Sequence, residues 1–278
     1  MLQRDWRLLN FDTVDAIPAA LARGRANAVA RALAQADWLL RRKTDGRYLA
    51  AVRLGVSARW QLLAPANAWP RDAACGTRGQ RAQTGVDALQ RRLRELAARP
   101  ASHATLPLDG VRRHLDALGI SADYGRRHAL DLVPEPRVLA FAGFDRYRRP
   151  LFLQAAAAAA WSRMRAAAAA DGVRLEAISG FRSHAYQAGI FARKRARGQG
   201  VEEILQVNAA PGYSEHHGGC ALDVGTPGEP AAQESFEKTA AFAWLKMRAG
   251  DFGFVLSYPR GNPHGIVYEP WHWCWRAC

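Results

Sequence analysis

A short segment rich in glycine, histidine and acidic residues constrains the fold of this 278-residue chain more than any other feature. It runs Gly212-Tyr-Ser214-Glu-His216-His-Gly218-Gly219-Cys-Ala-Leu-Asp223. The two adjacent glycines allow backbone conformations that other residues rarely adopt, so the chain can turn back and enter a short apolar strand containing Asp223. Such a turn would bring the side chains of His216 and Asp223 to one point.

A second segment, Glu269-Pro-Trp-His272-Trp, follows about fifty residues later and adds another histidine. Zinc in hydrolases usually has three protein ligands drawn from His, Asp and Glu, which His216, Asp223 and His272 would supply. Glu269 could act beside them as a general base. Positions three apart on a regular strand face opposite sides, so this role requires a bend, which Pro270 favours.

Other interpretations of these residues stay open. His217 is a rival ligand, although adjacent side chains on an extended segment point apart. Cys220 could coordinate zinc, but a cysteine among small residues is more often a buried apolar filler. A single aspartate in a glycine-rich turn is usually a turn residue, and a histidine among tryptophans is usually packed. Cys274 and Cys278 could pair, and nothing in the sequence requires it.

The basic charge of the chain is unevenly distributed. The net charge is +14 overall, with +12 in residues 1–150, +6 in residues 151–200 and −4 in residues 201–278. Arginine-rich stretches such as Arg41-Arg42-Lys43 are candidates for nucleic-acid binding, but arginine bias alone would also scatter these residues over solvated helix faces. Attraction to an anionic polymer or substrate agrees best with the other motifs.

Hydrophobic periodicity indicates two regions with different patterns. Residues 14–43 and 79–99 have helical spacing, so residues 1–135 are predicted to be a mostly helical region of unknown role. Residues 136–278 alternate between helix and strand, which predicts an α+β domain after a boundary near Pro134-Glu-Pro136. The predicted helices are residues 153–170, 184–197 and 234–249, and the predicted strands are residues 175–178, 221–224, 253–258 and 266–273.

Two features bear on the compartment. No apolar run is long enough to span a bilayer. Charges at Arg4, Asp5 and Arg7 interrupt the place where a signal peptide needs an apolar core. Because no signal peptide is visible, we expect a cytoplasmic protein, or a protein of the cell envelope if the chain was trimmed or is exported by another route.

The motifs together resemble those of the VanY-type D-alanyl-D-alanine carboxypeptidases in the LAS zinc metallopeptidase family. The resemblance covers residues 140–276 and rests on three motifs: Ser179-Gly-Phe-Arg182-Ser183, Ser214-x-His216-x-x-Gly219-x-Ala221-x-Asp223 and Glu269-Pro-Trp-His272-Trp273. It implies a LAS-type domain with a small central antiparallel sheet and flanking helices. Departures lie at His217-Gly218 and Cys274-Trp275, beside the motif residues, and none of the proposed ligands is missing.

The resemblance also implies a role for each matching residue. One Zn²⁺ per chain would be bound by His216, Asp223 and His272, with Glu269 as catalytic base and Arg182 facing the substrate. The positions expected to hold substrate or line its pocket are Ser214, Gln187, Ser183, Tyr213, Trp271 and Trp273. Capping is the alternative role for the polar residues among them, and core packing for the tryptophans.

The predicted function is a zinc carboxypeptidase that removes terminal D-alanine from peptidoglycan stem peptides or muropeptides. The motifs do not distinguish a D,D bond from an L,D bond. The alternatives are a peptidoglycan endopeptidase acting as a lysin-like effector, and a non-catalytic wall-binding or nucleic-acid-binding protein. The complete ligand set disfavours a non-catalytic role, and the sequence leaves the oligomeric state open.

Overall fold

The structure is a computed structural model that describes residues 6–22, 27–54, 60–65, 87–91 and 105–276. It divides into two compact units. The first comprises Met1–Leu106 with Arg137–Leu139, and the second comprises Pro107–Pro136 with Ala140–Cys278. The predicted boundary at residues 135 and 136 stays a prediction, and residues 107–136 lie in the second unit.

The first unit contains an antiparallel sheet. Its strands are β1 (Arg7–Asn10), β2 (Val14–Pro18), β3 (Trp38–Arg42), β4 (Tyr48–Leu54) and β5 (Trp60–Pro65), each paired with the next. Helix α1 (Asn27–Gln35) connects β2 to β3, and residues 87–91 are also helical. The buried side chains of Leu9, Leu40 and Val52 are part of its core.

The prediction of a mostly helical region over residues 1–135 is wrong for the described part of the first unit. The predicted helix over residues 14–43 is helical only at Asn27–Gln35, with a strand on each side. Strand β2 is buried along its whole length, so it lacks the alternation of apolar and polar residues that marks a half-buried strand. The predicted helix over residues 79–99 falls mostly outside the described residues.

The second unit mixes helices and strands. Its helices are α2 (Asp109–Leu118), α3 (Tyr124–Arg127), α4 (Ala155–Ala170), α5 (His184–Arg195), α6 (Val201–Leu205) and α7 (Ala240–Arg248). Its strands are β6 (Val138–Phe144, which begins in the first unit), β7 (Pro150–Leu153), β8 (Glu176–Ser179), β9 (Ala221–Gly225), β10 (Phe254–Leu256) and β11 (His272–Trp275). Short 3-10 turns lie at Glu215–Gly218, Glu234–Lys238 and Ala249–Phe252.

A four-stranded antiparallel sheet with the order β10-β11-β9-β8 organises this unit. Leu222, Val224 and Trp273 belong to a core that also contains side chains of α4 and α7. Successive residues of a strand point to opposite faces, so the strand neighbours of these core residues project from the other face of the sheet. The α+β class and the antiparallel sheet with flanking helices are therefore confirmed.

Most predicted elements of the second unit occur in the structure, with shorter strands than expected. The apolar run predicted as a strand over residues 266–273 forms a strand only from His272. The helix predicted over residues 234–249 is divided at Thr239, whose side chain caps α7 by accepting from the Phe242 N–H. None of the helices within the described ranges combines the length and apolar composition of a membrane crossing.

Candidate active site

Strand pairing brings two of the predicted ligands together. His272 and Asp223 lie directly opposite each other on antiparallel strands β11 and β9. Opposed residues of an antiparallel pair project from the same face, with their Cβ atoms about 5 Å apart. Since Leu222 and Trp273 are the next opposed pair and face the core, the alternation of both strands places Asp223 and His272 on the other side of the sheet.

The glycine turn positions the third predicted ligand. His216 lies in the 3-10 turn Glu215–Gly218, which ends at Gly219 with a φ of 70°. This left-handed conformation favours glycine, and the chain then enters β9. Side-chain nitrogen and oxygen atoms of His216, Asp223 and His272 all lie within 4.8 Å of one another, and all three residues are buried.

Hydrogen bonds fix which nitrogen of each histidine faces this cluster. The Nδ1 of His216 lies 2.8 Å from the Gly180 carbonyl oxygen, which can only accept, so Nδ1 donates and Nε2 is left to face Asp223 at 3.3 Å. The Nε2 of His272 lies 2.9 Å from Glu215 Oε2, and its Nδ1 lies 3.2 Å from Asp223 Oδ1. His216 Nε2, Asp223 Oδ1 and His272 Nδ1 are therefore the candidate ligand atoms.

Burial and charge set the protonation of the cluster. Burial and the Arg182 charge lower the pKa of His216 to about 4, so its ring is neutral at pH 7. Burial also disfavours the charged form of His272, but hydrogen bonds to Asp223 and Glu215 outweigh this and raise its pKa to about 10. Burial raises the pKa of Glu215, and the His272 hydrogen bond overcomes it and lowers the value to about 2.

Arg182 lies against the same cluster. Its Nε donates to the Ser179 hydroxyl at 2.9 Å, and its Nη2 contacts both His216 Nε2 at 2.9 Å and Asp223 Oδ2. The Arg182 backbone N–H also donates to the His216 carbonyl at 3.2 Å. The residue that the sequence singles out after Ser179-Gly180 is thus a fixed cation beside the candidate ligands.

Glu269 approaches the cluster because the chain bends before β11. The His272 N–H donates to the Glu269 carbonyl at 3.1 Å, which closes a turn across Pro270 and places Glu269 Oε2 3.8 Å from His272 Nδ1. The required bend is therefore present. Burial raises the pKa of the Glu269 carboxyl to about 7, and a group with this pKa can both accept and return a proton near neutral pH.

These groups lie along a cavity of about 300 Å³ in the second unit. The three candidate ligands, Arg182 and Glu269 all line it, and so do three of the predicted substrate residues, Gln187, Ser214 and Trp271. The other lining residues are Lys194, Val207, Asn208, Ala209, Ala232, Tyr258, Ile266 and Val267.

Three predicted substrate residues are not among the lining residues. Ser183 caps helix α5, where its hydroxyl accepts from the Tyr186 N–H at 3.0 Å. Tyr213 is buried and packs edge-on against Tyr124. Trp273 is buried in the core because its neighbour His272 faces the cluster. Ser183 therefore has the capping role that is the alternative for the polar residues, and Trp273 has the core-packing role that is the alternative for the tryptophans.

The rival ligands also point elsewhere. His217 is fully buried, its Nδ1 lies 2.7 Å from the Arg182 carbonyl oxygen, and its Nε2 accepts from the Gly212 N–H at 3.1 Å. The ring is therefore neutral and both nitrogens are occupied. Cys220 is not a member of the cluster, and its thiol lies 3.9 Å from the Gly218 carbonyl oxygen. Cys278 lies outside the described residues.

Sequence reasoning missed two charged residues at this site. Glu215 holds the His272 ring, and its position directly before His216 was the available signal. Lys194 lines the cavity from the last turn of α5, and its seven-residue spacing from Gln187 places both on one helix face. Lys194 lies outside the segments that contain metal-type ligands, and Glu215 is the unassigned position of the Ser214-x-His216 motif, so spacing alone did not distinguish them from surface charges.

The sequence of the chain is similar to those of known carboxypeptidases. The family described as VanY: D-alanyl-D-alanine carboxypeptidase matches residues 150–278. The bifunctional D-Ala-D-Ala dipeptidase and D-Ala-D-Ala carboxypeptidase VanXYC of Enterococcus gallinarum is 31% identical over 153 residues, which cover 53% of this chain and 78% of that protein. Bacillus subtilis YodJ, which is named as a carboxypeptidase, is 31% identical over 173 residues.

Solved structures with similar folds cover part of the chain. The LdcB LD-carboxypeptidase is 32% identical with a TM-score of 0.42, over 45% of this chain and 59% of that one. VanYB in complex with D-alanine-D-alanine is 27% identical with a TM-score of 0.39, over 46% of this chain and 73% of that one.

Coverage of these relatives is incomplete. The match to YodJ covers 59% of this chain and 63% of that protein, so less than two thirds of YodJ is represented. The matched region contains the candidate ligands, Glu269 and Arg182, which lie together in the second unit. The family match over residues 150–278 and the similarity to VanXYC establish that the chain belongs to the VanY family of D-alanyl-D-alanine carboxypeptidases.

Proposed function

We propose that this protein is a zinc-dependent carboxypeptidase that removes terminal D-alanine from peptidoglycan stem peptides or muropeptides. The observation that carries the proposal is the convergence of His216, Asp223 and His272 beside the buried Glu269 in one cavity. The cavity-lining positions of Gln187, Ser214 and Trp271 support substrate-binding roles for these residues.

The donor set fits zinc. Two imidazole nitrogens and one carboxylate are a common ligand combination for catalytic zinc, and we propose one ion per chain. The other ring nitrogen of each histidine donates its N–H to an oxygen, the Gly180 carbonyl for His216 and the Glu215 carboxylate for His272, which is the usual arrangement around zinc-binding histidines. Nε2 of His216 has one lone pair, so Arg182 can donate to it only while no cation is bound there.

When bound, zinc would lower the pKa of a water molecule and polarise the scissile carbonyl. The side chains of the protein supply the remaining steps. Glu269, with a pKa near neutrality, takes a proton from the attacking water and returns it to the leaving amine. Arg182 presents a fixed charge to the oxygen of the substrate carbonyl, where negative charge develops. Because the cluster is buried, the electrostatic interactions of Glu269 and Arg182 with the substrate are stronger than they would be in water.

Mass spectrometry of two synthetic stem peptides tests this proposal. One peptide ends in D-Ala-D-Ala and the other in a single D-Ala, and each is incubated with and without a zinc chelator. We expect the loss of one alanine from at least one peptide, abolished by the chelator and restored by added zinc. The peptide that reacts identifies a D,D or an L,D preference. If neither peptide is shortened by zinc-loaded protein, the proposed reaction is wrong.

A further inference from the structure

The charges along the cavity are not all used by the cluster. Four charged side chains besides the histidines line it: Asp223 and Glu269 are acidic, and Arg182 and Lys194 are basic. Arg182 is held by Ser179, His216 and Asp223. Among the described residues, Lys194 has no carboxylate within ion-pair distance. The cavity therefore contains a cation that the reaction described above does not employ.

The position of Lys194 on its helix directs it into the cavity. Gln187 and Lys194 are seven residues apart on α5, so they share a face and their Cα atoms are separated by about 10 Å along the axis. Helical side chains lean toward the N-terminus, so the four-carbon stem of Lys194 carries its ammonium back toward Gln187. Its neighbours Arg193 and Arg195 are exposed, while Lys194 is partly buried.

A second unpartnered group lies on the same helix face. Gln187 is 1% exposed, and its Nε2 donates to the Ala209 carbonyl at 2.9 Å. Its Oε1 has no hydrogen-bond partner, although Gln187 lines the cavity. A buried acceptor without a partner is costly unless a ligand satisfies it. The face thus carries a cation that can pair with an anion, Lys194, beside a buried acceptor that lacks a donor, the Gln187 Oε1.

We propose that Lys194 binds a carboxylate of the substrate and so acts as a specificity-determining residue. This inference rests on the proposed function. Two carboxylates near the C-terminus of a stem peptide have the required chemistry: the free C-terminal carboxylate, and the side-chain carboxylate that meso-diaminopimelate carries beside its amine when it is the third residue. Pairing of either carboxylate with Lys194 would offset the repulsion that Asp223 and Glu269 exert on an anionic peptide.

The test measures peptide affinity in the zinc-loaded Glu269→Gln background, where binding is read without turnover. Lys194→Met is added to this background, and Lys246→Met is the matched control because Lys246 is exposed on α7. We expect Lys194→Met to weaken binding of the free-acid peptide about 10- to 100-fold, as for a lost charged hydrogen bond, and Lys246→Met to leave it unchanged. Lys194→Arg should restore part of the loss, and thermal unfolding shows that each variant is folded.

Peptide variants identify which carboxylate is bound. If the loss disappears when the C-terminus is a primary amide, the terminal carboxylate is the partner. If it disappears when the third residue is lysine instead of meso-diaminopimelate, the side-chain carboxylate is the partner. If Lys194→Met binds every peptide as well as Lys246→Met does, the inference is wrong. The wild-type protein, assayed for release of D-alanine, shows separately whether the proposed function holds, and binding of no peptide would refute both.

Discussion

Glu215 is expected to control zinc affinity through the proton of His272. Its Oε2 lies 2.9 Å from His272 Nε2, so that nitrogen carries a proton with or without metal, whereas Nδ1, which faces Asp223, must lose its proton before it can bind zinc. In a Glu215→Leu variant without metal, the ring can carry its proton on Nδ1 and donate to Asp223 Oδ1. Zinc at Nδ1 would force the proton onto Nε2, where no acceptor would remain.

The magnitude follows from the cost of an unpaired buried N–H group, which is about 1–3 kcal/mol. His272 is 2% exposed, so water does not readily replace the lost acceptor. Since about 1.4 kcal/mol corresponds to a factor of ten, zinc should bind roughly 5- to 150-fold more weakly to Glu215→Leu when the affinities are compared for the ring whose Nδ1 has already lost its proton. Glu215→Gln retains an acceptor oxygen and should lose no more than about tenfold.

Competition against a chromophoric chelator at several pH values measures these dissociation constants and separates them from the cost of removing the Nδ1 proton. Glu237→Leu and Glu237→Gln are matched controls, because Glu237 pairs with Arg260 as Glu215 pairs with Arg276 but contacts no candidate ligand. They should bind zinc like the wild-type protein. If folded Glu215→Leu binds zinc as tightly as Glu237→Leu, Glu215 does not orient His272 and the assignment of Nδ1 as ligand fails.

Three further predictions concern other parts of the site. Glu269→Gln should retain zinc, measured by elemental analysis, and lose at least about 100-fold in peptide turnover; parental turnover would show that Glu269 is not the base. His217→Ala should lower the free energy of unfolding in denaturant by about 2–4 kcal/mol, because two buried backbone groups lose their partner; an unchanged value would contradict this. Trp271→Leu should raise KM with little loss of stability, whereas Trp273→Leu should lower stability by about 2–4 kcal/mol with KM retained; the reverse pattern would contradict the burial of the two rings.

The candidate ligand set could be predicted from the sequence because it depends on local constraints. A glycine-permitted turn at Gly219 and the bend at Pro270 are short-range features, and strand pairing then needs only to align Asp223 with His272. Whether Trp273 faces the cavity or the core was harder to predict, because its side of β11 follows only from the assignment of His272 to the cluster.

The first unit was predicted poorly for a different physical reason. Strand β2 is buried throughout, so its sequence lacks a period of two, and leucine and alanine spacing around it imitates a helix. Pairing with β1 and β3, which is a tertiary interaction, determines its conformation. Lys194 was missed for a similar reason, because only packing of α5 against the cavity distinguishes it from its arginine neighbours.

Anomalous X-ray diffraction at the zinc absorption edge, from crystals of zinc-loaded protein, tests the central claim most directly. The account predicts one strong peak per chain, about 2.0–2.2 Å from His216 Nε2, Asp223 Oδ1 and His272 Nδ1. A peak coordinated by other residues, or no peak at this cluster in crystals grown with excess zinc, would contradict the assignment of these three residues as a zinc site.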